Sequence, residues 1–389
     1  MSPLGRITTG LAVAALAVGG ATSAQAAPPV VPPLTVTTVT DGLDVPWDVA
    51  FTPSGNMLYT QRDAKTVSLH VPGQADRVVL NSPAGMWSGG ETGLMGIETA
   101  ADFATSRIFY TCHGFRSGST RDVRVSAWQL KTAGSQATFV RRIVTGLPTS
   151  SGRHGGCALQ VGGSGSLYIG TGDAAVGTNP QRLTSGGGKV LRVKASNGAP
   201  YPGNPFISSS NAMQRKVFSY GHRNVQGLAR RNGQTWSIEQ GSYRDDEVNV
   251  ITSRGNYGWN PVPRKPGDPS YNEGANSPMT DTSLPGAQRG AQWSSGTSTI
   301  ATSGGAFLSG SQWGSLNGAL AVSTLKGESL RIITFTSSNK LIGEAKPAEL
   351  DGDYGRLRAA QFNPVDGALY VTTSNGSNDK ILRITPAAG

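Results

Sequence analysis

A chain poor in charge, rich in glycine and carrying a strand motif that recurs six times is predicted to be all-β, folded as a six-bladed β-propeller. Only 15% of the 389 residues are Asp, Glu, Lys or Arg, against roughly 25% in an average soluble chain, and the 53 glycines are about double the usual share. Long salt-bridged helices and coiled coils are disfavoured by that balance, and short strands between tight turns are favoured. With 7 Trp, 10 Tyr and 10 Phe there is enough aromatic material to build cores, which excludes wholesale disorder. The recurring unit is a short turn, usually with glycine, followed by four or five aromatic and β-branched residues. It occurs at Ser54–Thr60, Ser106–Thr111, Gly165–Gly170, Gly233–Ile238, Gly318–Ser323 and Gly367–Thr372. From Gly55 to Gly367 the mean spacing is about 62 residues, enough for a four-stranded blade of about 40–50 residues plus loops.

The elements follow in chain order. Residues 1–26 carry Arg6 as their only charge, an apolar stretch from Leu11 to Val18 and small residues ending in Ala24-Gln25-Ala26. This pattern predicts a secretory signal peptide cleaved after Ala26, and residues 27–389 as one exported, soluble propeller domain. Two β domains are the alternative organisation. No later segment reaches 18 uninterrupted apolar residues, so no stable membrane insertion is expected. Because an antiparallel meander cannot bury both faces alone, the blades must stack in a ring. The first strand-like run, Leu34–Val39, and the last, Lys380–Thr385, suit the closing blade. The stretch Pro261–Ser295, rich in Pro, Gly, Ser and Asn, reads as an excursion from the ring.

Loss of Arg6 with the leader lowers the formal charge from +10 to +9. The basic residues are dispersed, with nothing longer than pairs such as Arg141-Arg142 and Arg230-Arg231, so no nucleic-acid partner is expected; a basic pocket for an anionic small ligand is. Cys112 and Cys157 are the two cysteines, and export favours a disulfide between them over two buried thiols.

Chemistry-bearing residues cluster at the blade junctions. His154, flanked by Gly152, Gly155 and Gly156, is a candidate general base, with a plain surface histidine as the alternative. His70, His113 and His222 show no zinc-ligand spacing. Arg356 and Arg358 are two apart, which in an extended segment points both guanidiniums to one face and invites an anion. Lys326 follows the fifth repeat, and Arg223-Asn224 lies in a turn-rich segment. The run Gln240–Asn249 places Gly and acidic residues in one tight loop, which suits a hard cation such as Ca²⁺, or a capped turn without metal. Glu91, between glycines in Gly89-Gly90-Glu91-Thr92-Gly93, is placed to hydrogen-bond a polyol.

Taken in order, Pro46-Trp47-Asp48-Val49-Ala50-Phe51, Gly90-Glu91-Thr92-Gly93-Leu94, His154-Gly155-Gly156, Gly188-Lys189-Val190-Leu191-Arg192, Gly221-His222-Arg223-Asn224 with Gln226-Gly227, Glu239-Gln240-Gly241, Asp245-Asp246-Glu247 with Asn249, and Gly255-Asn256-Tyr257-Gly258-Trp259 resemble one family. It is that of the soluble sugar dehydrogenases dependent on pyrroloquinoline quinone (PQQ), which includes soluble glucose dehydrogenase, aldose sugar dehydrogenases and sorbosone dehydrogenase-like proteins. The resemblance implies oxidation of an aldose sugar at its anomeric carbon to the lactone, with PQQ and Ca²⁺ as cofactors and an external electron acceptor. It implies His154 as the base that takes the anomeric proton while hydride moves to C5 of the quinone, with Arg223 and Asn224 on the quinone oxygens. Glu91 falls at a sugar-contacting position, Lys326, Arg356 and Arg358 surround the cofactor and its three carboxylates, and the carbonyls of Gly241 and Ser242 hold the calcium. Two positions depart from the family: Ser242 replaces a usual Pro, and Arg153 stands where soluble glucose dehydrogenase has Asp. A non-catalytic carbohydrate-binding propeller and a metal-dependent lactonase-type hydrolase are the alternative readings.

Overall fold

The computed structural model describes residues 29–132, 134–262, 271–274 and 277–387. The predicted leader lies outside them. Strand β1 (Leu34–Leu43) is the first strand and belongs to the last blade. Blade 1 is β2 (Pro46–Phe51), β3 (Met57–Gln61), β4 (Thr66–His70) and β5 (Arg77–Asn81), and blade 2 is β6 (Leu94–Thr99), β7 (Ile108–Ser117), β8 (Thr120–Leu130) and β9 (Ala137–Leu147). Blade 3 holds β10 (Gly156–Val161), β11 (Ser166–Thr171), β12 (Lys189–Lys194) and β13 (Val217–Tyr220). Blade 4 holds β14 (Val225–Arg231), β15 (Gln234–Glu239), β16 (Glu247–Val250) and β17 (Trp293–Ser294). Blade 5 is β18 (Thr302–Phe307), β19 (Leu320–Thr324), β20 (Leu330–Phe335) and β21 (Leu341–Ala345), and blade 6 is β22 (Leu357–Phe362), β23 (Leu369–Thr373) and β24 (Asp379–Pro386). Each of the six sheets is an antiparallel four-stranded meander, and β1 supplies the fourth strand of blade 6 by pairing with β24 from Leu34↔Pro386 to Leu43↔Asp379. The ring is thus closed by its two chain ends, as expected. Among the described residues no helix is long and apolar enough to cross a membrane.

All six copies of the sequence motif turn out to be second strands: β3, β7, β11, β15, β19 and β23. The turn ahead of each carries a left-handed residue, Gly55, Gly165, Gly233, Gly318 and Gly367 in five blades and Arg107 (φ 55°) in blade 2. Between blades the apolar faces interlock. Trp236 of blade 4, fully buried, packs on Phe307 and Phe335 of blade 5 at ring-centroid distances of 5.3 and 4.9 Å. The excursion predicted at Pro261–Ser295 runs between β16 and β17, so blade 4 takes its outer strand late.

The inner strand of every blade is irregular near its start. Register shifts fall between Pro46 and Val49, Leu94 and Ile97, Gly156 and Ala158, Val225 and Gly227, Thr302 and Gly305, and Leu357 and Ala360. Bulges twist a strand and re-aim its side chains. Here they turn Trp47, Asp48, Gln226 and Arg358 into the axial channel. Of the Arg356-x-Arg358 pair, Arg358 is buried at the channel while Arg356, one residue before β22, is exposed, and the two charges stay within electrostatic reach of each other.

Cys112 in β7 and Cys157 in the bulge of β10 form a disulfide, with a Cα–Cα distance of 5.6 Å. It stitches blade 2 to blade 3 three residues after His154. Closing a 45-residue separation stabilises by about 4 kcal/mol on the loop-entropy account. A Cys112→Ser/Cys157→Ser variant is therefore expected to lose a large part of that in urea unfolding, whereas an unchanged midpoint contradicts the estimate.

Candidate active site

His154 lies two residues ahead of β10 with φ 50°, a left-handed conformation costly for a side-chain-bearing residue. Neighbouring loops hold it there. Its backbone N–H donates to Glu91 Oε2 at 3.1 Å, and Gly152 O accepts from the backbone N–H groups of Glu91 and Thr92 at 3.0 and 3.2 Å. A Cβ at Gly152 would come within 2.0 Å of Gly89 O, and one at Gly172 within 1.8 Å of His154 O, so only glycine lets these segments dock. His154 is buried, 3% exposed, which discards the surface-histidine alternative.

Its ring is fixed from both sides. Nδ1 lies 2.8 Å from Asp173 Oδ1, and Nε2 lies 3.1 Å from Arg223 Nη2. A guanidinium can only donate, so Nε2 accepts and Nδ1 carries the proton that Asp173 receives. Trp259 Nε1–H donates to Asp173 Oδ2 at 2.8 Å and orients the carboxylate. Asp173 itself follows β11, and its N–H donates to Arg223 O at 2.8 Å, which ties blade 3 to blade 4. Lys189 pins the intervening loop by donating through Nζ to Asn179 O, Pro180 O and Gly187 O at 2.6, 2.9 and 2.6 Å. Burial drives its pKa well down, so the three carbonyls substitute for water.

Two residues of the excursion return to this point. Tyr271 OH lies 3.2 Å from Asp173 Oδ2, 3.1 Å from Glu273 Oε2 and 3.2 Å from His154 Nδ1. Glu273 accepts from Arg223 Nε and Nη2 at 3.1 and 2.6 Å and from Arg153 Nη2 at 2.5 Å. Burial works to raise the Glu273 carboxyl, but Arg223 and Arg153 hold it below the ordinary carboxylate range. Burial and Asp173 push the Tyr271 hydroxyl far up, so it stays protonated.

Of the residues singled out from sequence, His154, Arg223, Asn224 and Glu91 come together. Asn224 is more committed than expected: Nδ2 donates to Glu91 Oε2 and Gln240 Oε1, each at 3.2 Å, and Oδ1 accepts from Gly156 N at 3.0 Å. It ties the site together, and its amide has no spare hydrogen. Arg358 is 6% exposed, 3.7 Å above the Trp47 ring, and among the described residues its side chain hydrogen-bonds only to Ser374 Oγ and Gln226 Oε1. Burial and the positive charges of Arg62 and Arg356 depress its pKa to about 9, with Glu91 and Asp379 opposing. Arg356 and Lys326 are exposed beyond it, and among the described residues none of Lys326, Arg356 and Arg358 is in an ion pair. No contact among the described residues brings Lys326 to the other cations; its N–H donates to Ile300 O at 3.0 Å, and Ile300 N donates in turn to Asp246 in the Gly241 loop.

The loop after β15 corrects one expectation. Its carboxylates are not free for a cation. Asp246 accepts from Gly241 N, Thr299 Oγ1, Ile300 N and Ala301 N, and Asp245 is paired with Arg244 at 2.7 Å. Among the described residues no group of three His, Cys, Asp or Glu is arranged to hold a metal. What the loop leaves open is neutral oxygen: the carbonyls of Gly241 and Ser242 accept no hydrogen bond from described residues, and the buried Ser242 Oγ has no partner. That donor set fits a hard cation bound through carbonyls.

A propeller of six blades with this site falls among the sugar dehydrogenases. The soluble aldose sugar dehydrogenase of Escherichia coli, solved in its apo-form, superposes with a TM-score of 0.80 at 26% identity over 91% of this chain and 100% of that one. The PQQ-bound aldose sugar dehydrogenase of Streptomyces coelicolor gives 0.72 at 28% identity over 92% and 99%. The aldose sugar dehydrogenase YliI of Escherichia coli K12 is 28% identical over 352 residues, 89% of this chain and 91% of its own. The chain belongs to the Glucose / Sorbosone dehydrogenase family, whose sequence profile matches residues 43–383.

Sequence reading missed Asp173, Tyr271, Glu273 and the buried network behind Arg223. Asp173 had a signal: it follows the third repeat's strand as Lys326 follows the fifth's. In the network, His222 Nδ1 lies 2.6 Å from Glu239 Oε1, and Asn249 Nδ2 donates to both Glu239 Oε1 and Glu247 Oε2 at 3.2 Å. Burial and the Glu239 charge push Glu247 up to about 8. The folded protein therefore keeps a proton that the unfolded chain releases near pH 4.5, and stability is lost as pH rises from there to about 8. Urea unfolding at pH 5 and pH 8 is expected to show a smaller fall for Glu247→Gln than for the unaltered protein; equal falls contradict the retained proton.

Proposed function

We propose that the protein is a PQQ- and calcium-dependent oxidoreductase that oxidises an aldose at its anomeric carbon to the lactone. The observation that carries this is the buried Arg358, a cation in no ion pair among the described residues, in electrostatic reach of the Glu91 that holds the His154 backbone. A buried charge without a counter-charge is costly, and a polyanionic ligand removes the cost. Lys326, Arg356 and Arg358 would hold the carboxylates of PQQ, Arg223 its quinone oxygens, and the Gly241 and Ser242 carbonyls Ca²⁺. When bound, PQQ supplies the hydride acceptor at C5 and calcium the Lewis acid that polarises it.

The remaining work falls to the chain. Nε2 of His154 takes the proton from the anomeric hydroxyl, and Asp173 holds the ring and stabilises the imidazolium that forms. For this Arg223 must release its hydrogen bond to Nε2, which frees its Nη2 donor. The unused Oε1 of Glu91 is an acceptor for a sugar hydroxyl. The reading includes export through the residue 1–26 leader and an external electron acceptor, and the PQQ-bound form of the Streptomyces coelicolor relative supports the cofactor.

Mixing purified protein with PQQ, Ca²⁺ and a panel of aldoses is expected to reduce an artificial dye. His154→Ala should cost about 10²–10⁴ in kcat. Calcium chelation should abolish turnover, and returning calcium should restore it. Full turnover by His154→Ala removes the base, and an absence of both turnover and PQQ binding favours a carbohydrate-binding propeller without chemistry.

A further inference from the structure

Arg153 and Glu273 form an ion pair beside His154 that the mechanism above does not use. We propose that this pair recognises the substrate hydroxyl on the carbon next to the reacting one, with Glu273 as a specificity-determining residue; the inference rests on the aldose-dehydrogenase reading.

Arg223 Nη2 lies 3.1 Å from His154 Nε2 and 2.6 Å from Glu273 Oε2, so the base and the carboxylate share one donor atom. A ligand whose hydroxyl engages Nε2 brings its neighbouring hydroxyl to the carboxylate. Orientation follows. Glu273 is held by Arg223 Nε and Nη2, by Tyr271 OH at 3.1 Å and by Arg153, and its side chain is 18% exposed. Tyr271 is anchored in turn on Asp173, the carboxylate that orients the base.

Free valence completes the case. An ionised carboxylate has about four lone-pair positions and a guanidinium five N–H donors. Among the described residues, Oε1 of Glu273 receives a single hydrogen bond, from Arg153 Nη2, and the half-exposed Arg153 makes that one hydrogen bond alone. The pair thus presents a vacant acceptor direction next to vacant donors. A hydroxyl, with one proton to give and lone pairs to receive, satisfies both at once. A substrate with hydrogen in its place leaves the pair desolvated and unmatched, and sites built around a hydroxyl reject such analogues strongly. With a partly exposed, charge-assisted hydrogen bond the expected discrimination is about 10- to 100-fold. Arg153 is also where the chain departs from soluble glucose dehydrogenase, so recognition by this pair belongs to this chain's own residues.

The test compares an aldose with its 2-deoxy analogue, by kcat/KM with PQQ and Ca²⁺ and by saturation-transfer NMR of the two sugars on the cofactor-free protein. Both are run on the unaltered protein, Glu273→Ala, Glu273→Gln and Arg153→Ala, with PQQ affinity measured for each. Damage to the base or to Arg223 slows both sugars alike, so the ratio isolates the hydroxyl. The unaltered protein is expected to prefer the parent aldose about 10- to 100-fold, Glu273→Ala to shrink that preference below about 3-fold, and Glu273→Gln and Arg153→Ala to fall between, in turnover and NMR alike. A preference that survives Glu273→Ala overturns the inference alone. Absence of PQQ binding and turnover in the unaltered protein removes the dehydrogenase reading and the inference with it.

Discussion

The hydrogen bond between His154 Nδ1 and Asp173 Oδ1, 2.8 Å long and closed to solvent, decides which imidazole nitrogen faces the pocket. Every other feature of the site is arranged around that choice. Arg223 can approach Nε2 only because Nδ1 holds the proton, and Asp173 can hold that proton only because Trp259 and the blade 3 loop fix its carboxylate. The strain of a left-handed histidine is borne by the surrounding loops: Glu91 binds its N–H, Gly152 and Gly172 let the loops close in, and the Cys112–Cys157 bond anchors the strand that follows.

The ring contributes a second constraint. Six inner strands converge on the axis, and each breaks register where it enters. Regular strands would alternate faces, sending half of these residues into the inter-blade packing. The bulges instead direct Trp47, Gln226 and Arg358 at one mouth of the channel, where an aromatic ring lies under a guanidinium that forms no ion pair among the described residues. A fold stabilised by apolar contact between blades can carry such a charge, because its cost is small against the buried area of the whole ring.

The architecture was legible because the recurring motif marks one structural object, the second strand of each blade, and because those strands are buried along nearly their whole length and so read as short apolar runs after a turn. The site was legible in part. His154, Arg223, Asn224 and Glu91 stand among glycines that announce close approach of backbones. Asp173 hides in an ordinary turn, and its partnership with His154 comes from the pairing of β10 with β11. Tyr271 and Glu273 lie in a stretch whose composition suggests only a loop, and nothing local to them reports that it folds back over the base. The acidic run at Asp245-Asp246 drew attention to side chains, whereas backbone donors claim those carboxylates and the open oxygens belong to Gly241 and Ser242. Arg356 and Arg358 remain within electrostatic reach, but one is exposed and the other buried, a difference the two-residue spacing does not report.

The central claim is that an anionic quinone sits between unpaired cations and a histidine base. A crystal structure of the protein soaked with PQQ and Ca²⁺ tests it most directly. The account predicts the quinone's carboxylates against Lys326, Arg356 and Arg358, its ortho-quinone edge at Arg223 beside His154, and calcium on the Gly241 and Ser242 carbonyls. PQQ bound away from His154, or Arg358 left without an anionic partner in the complex, would contradict it.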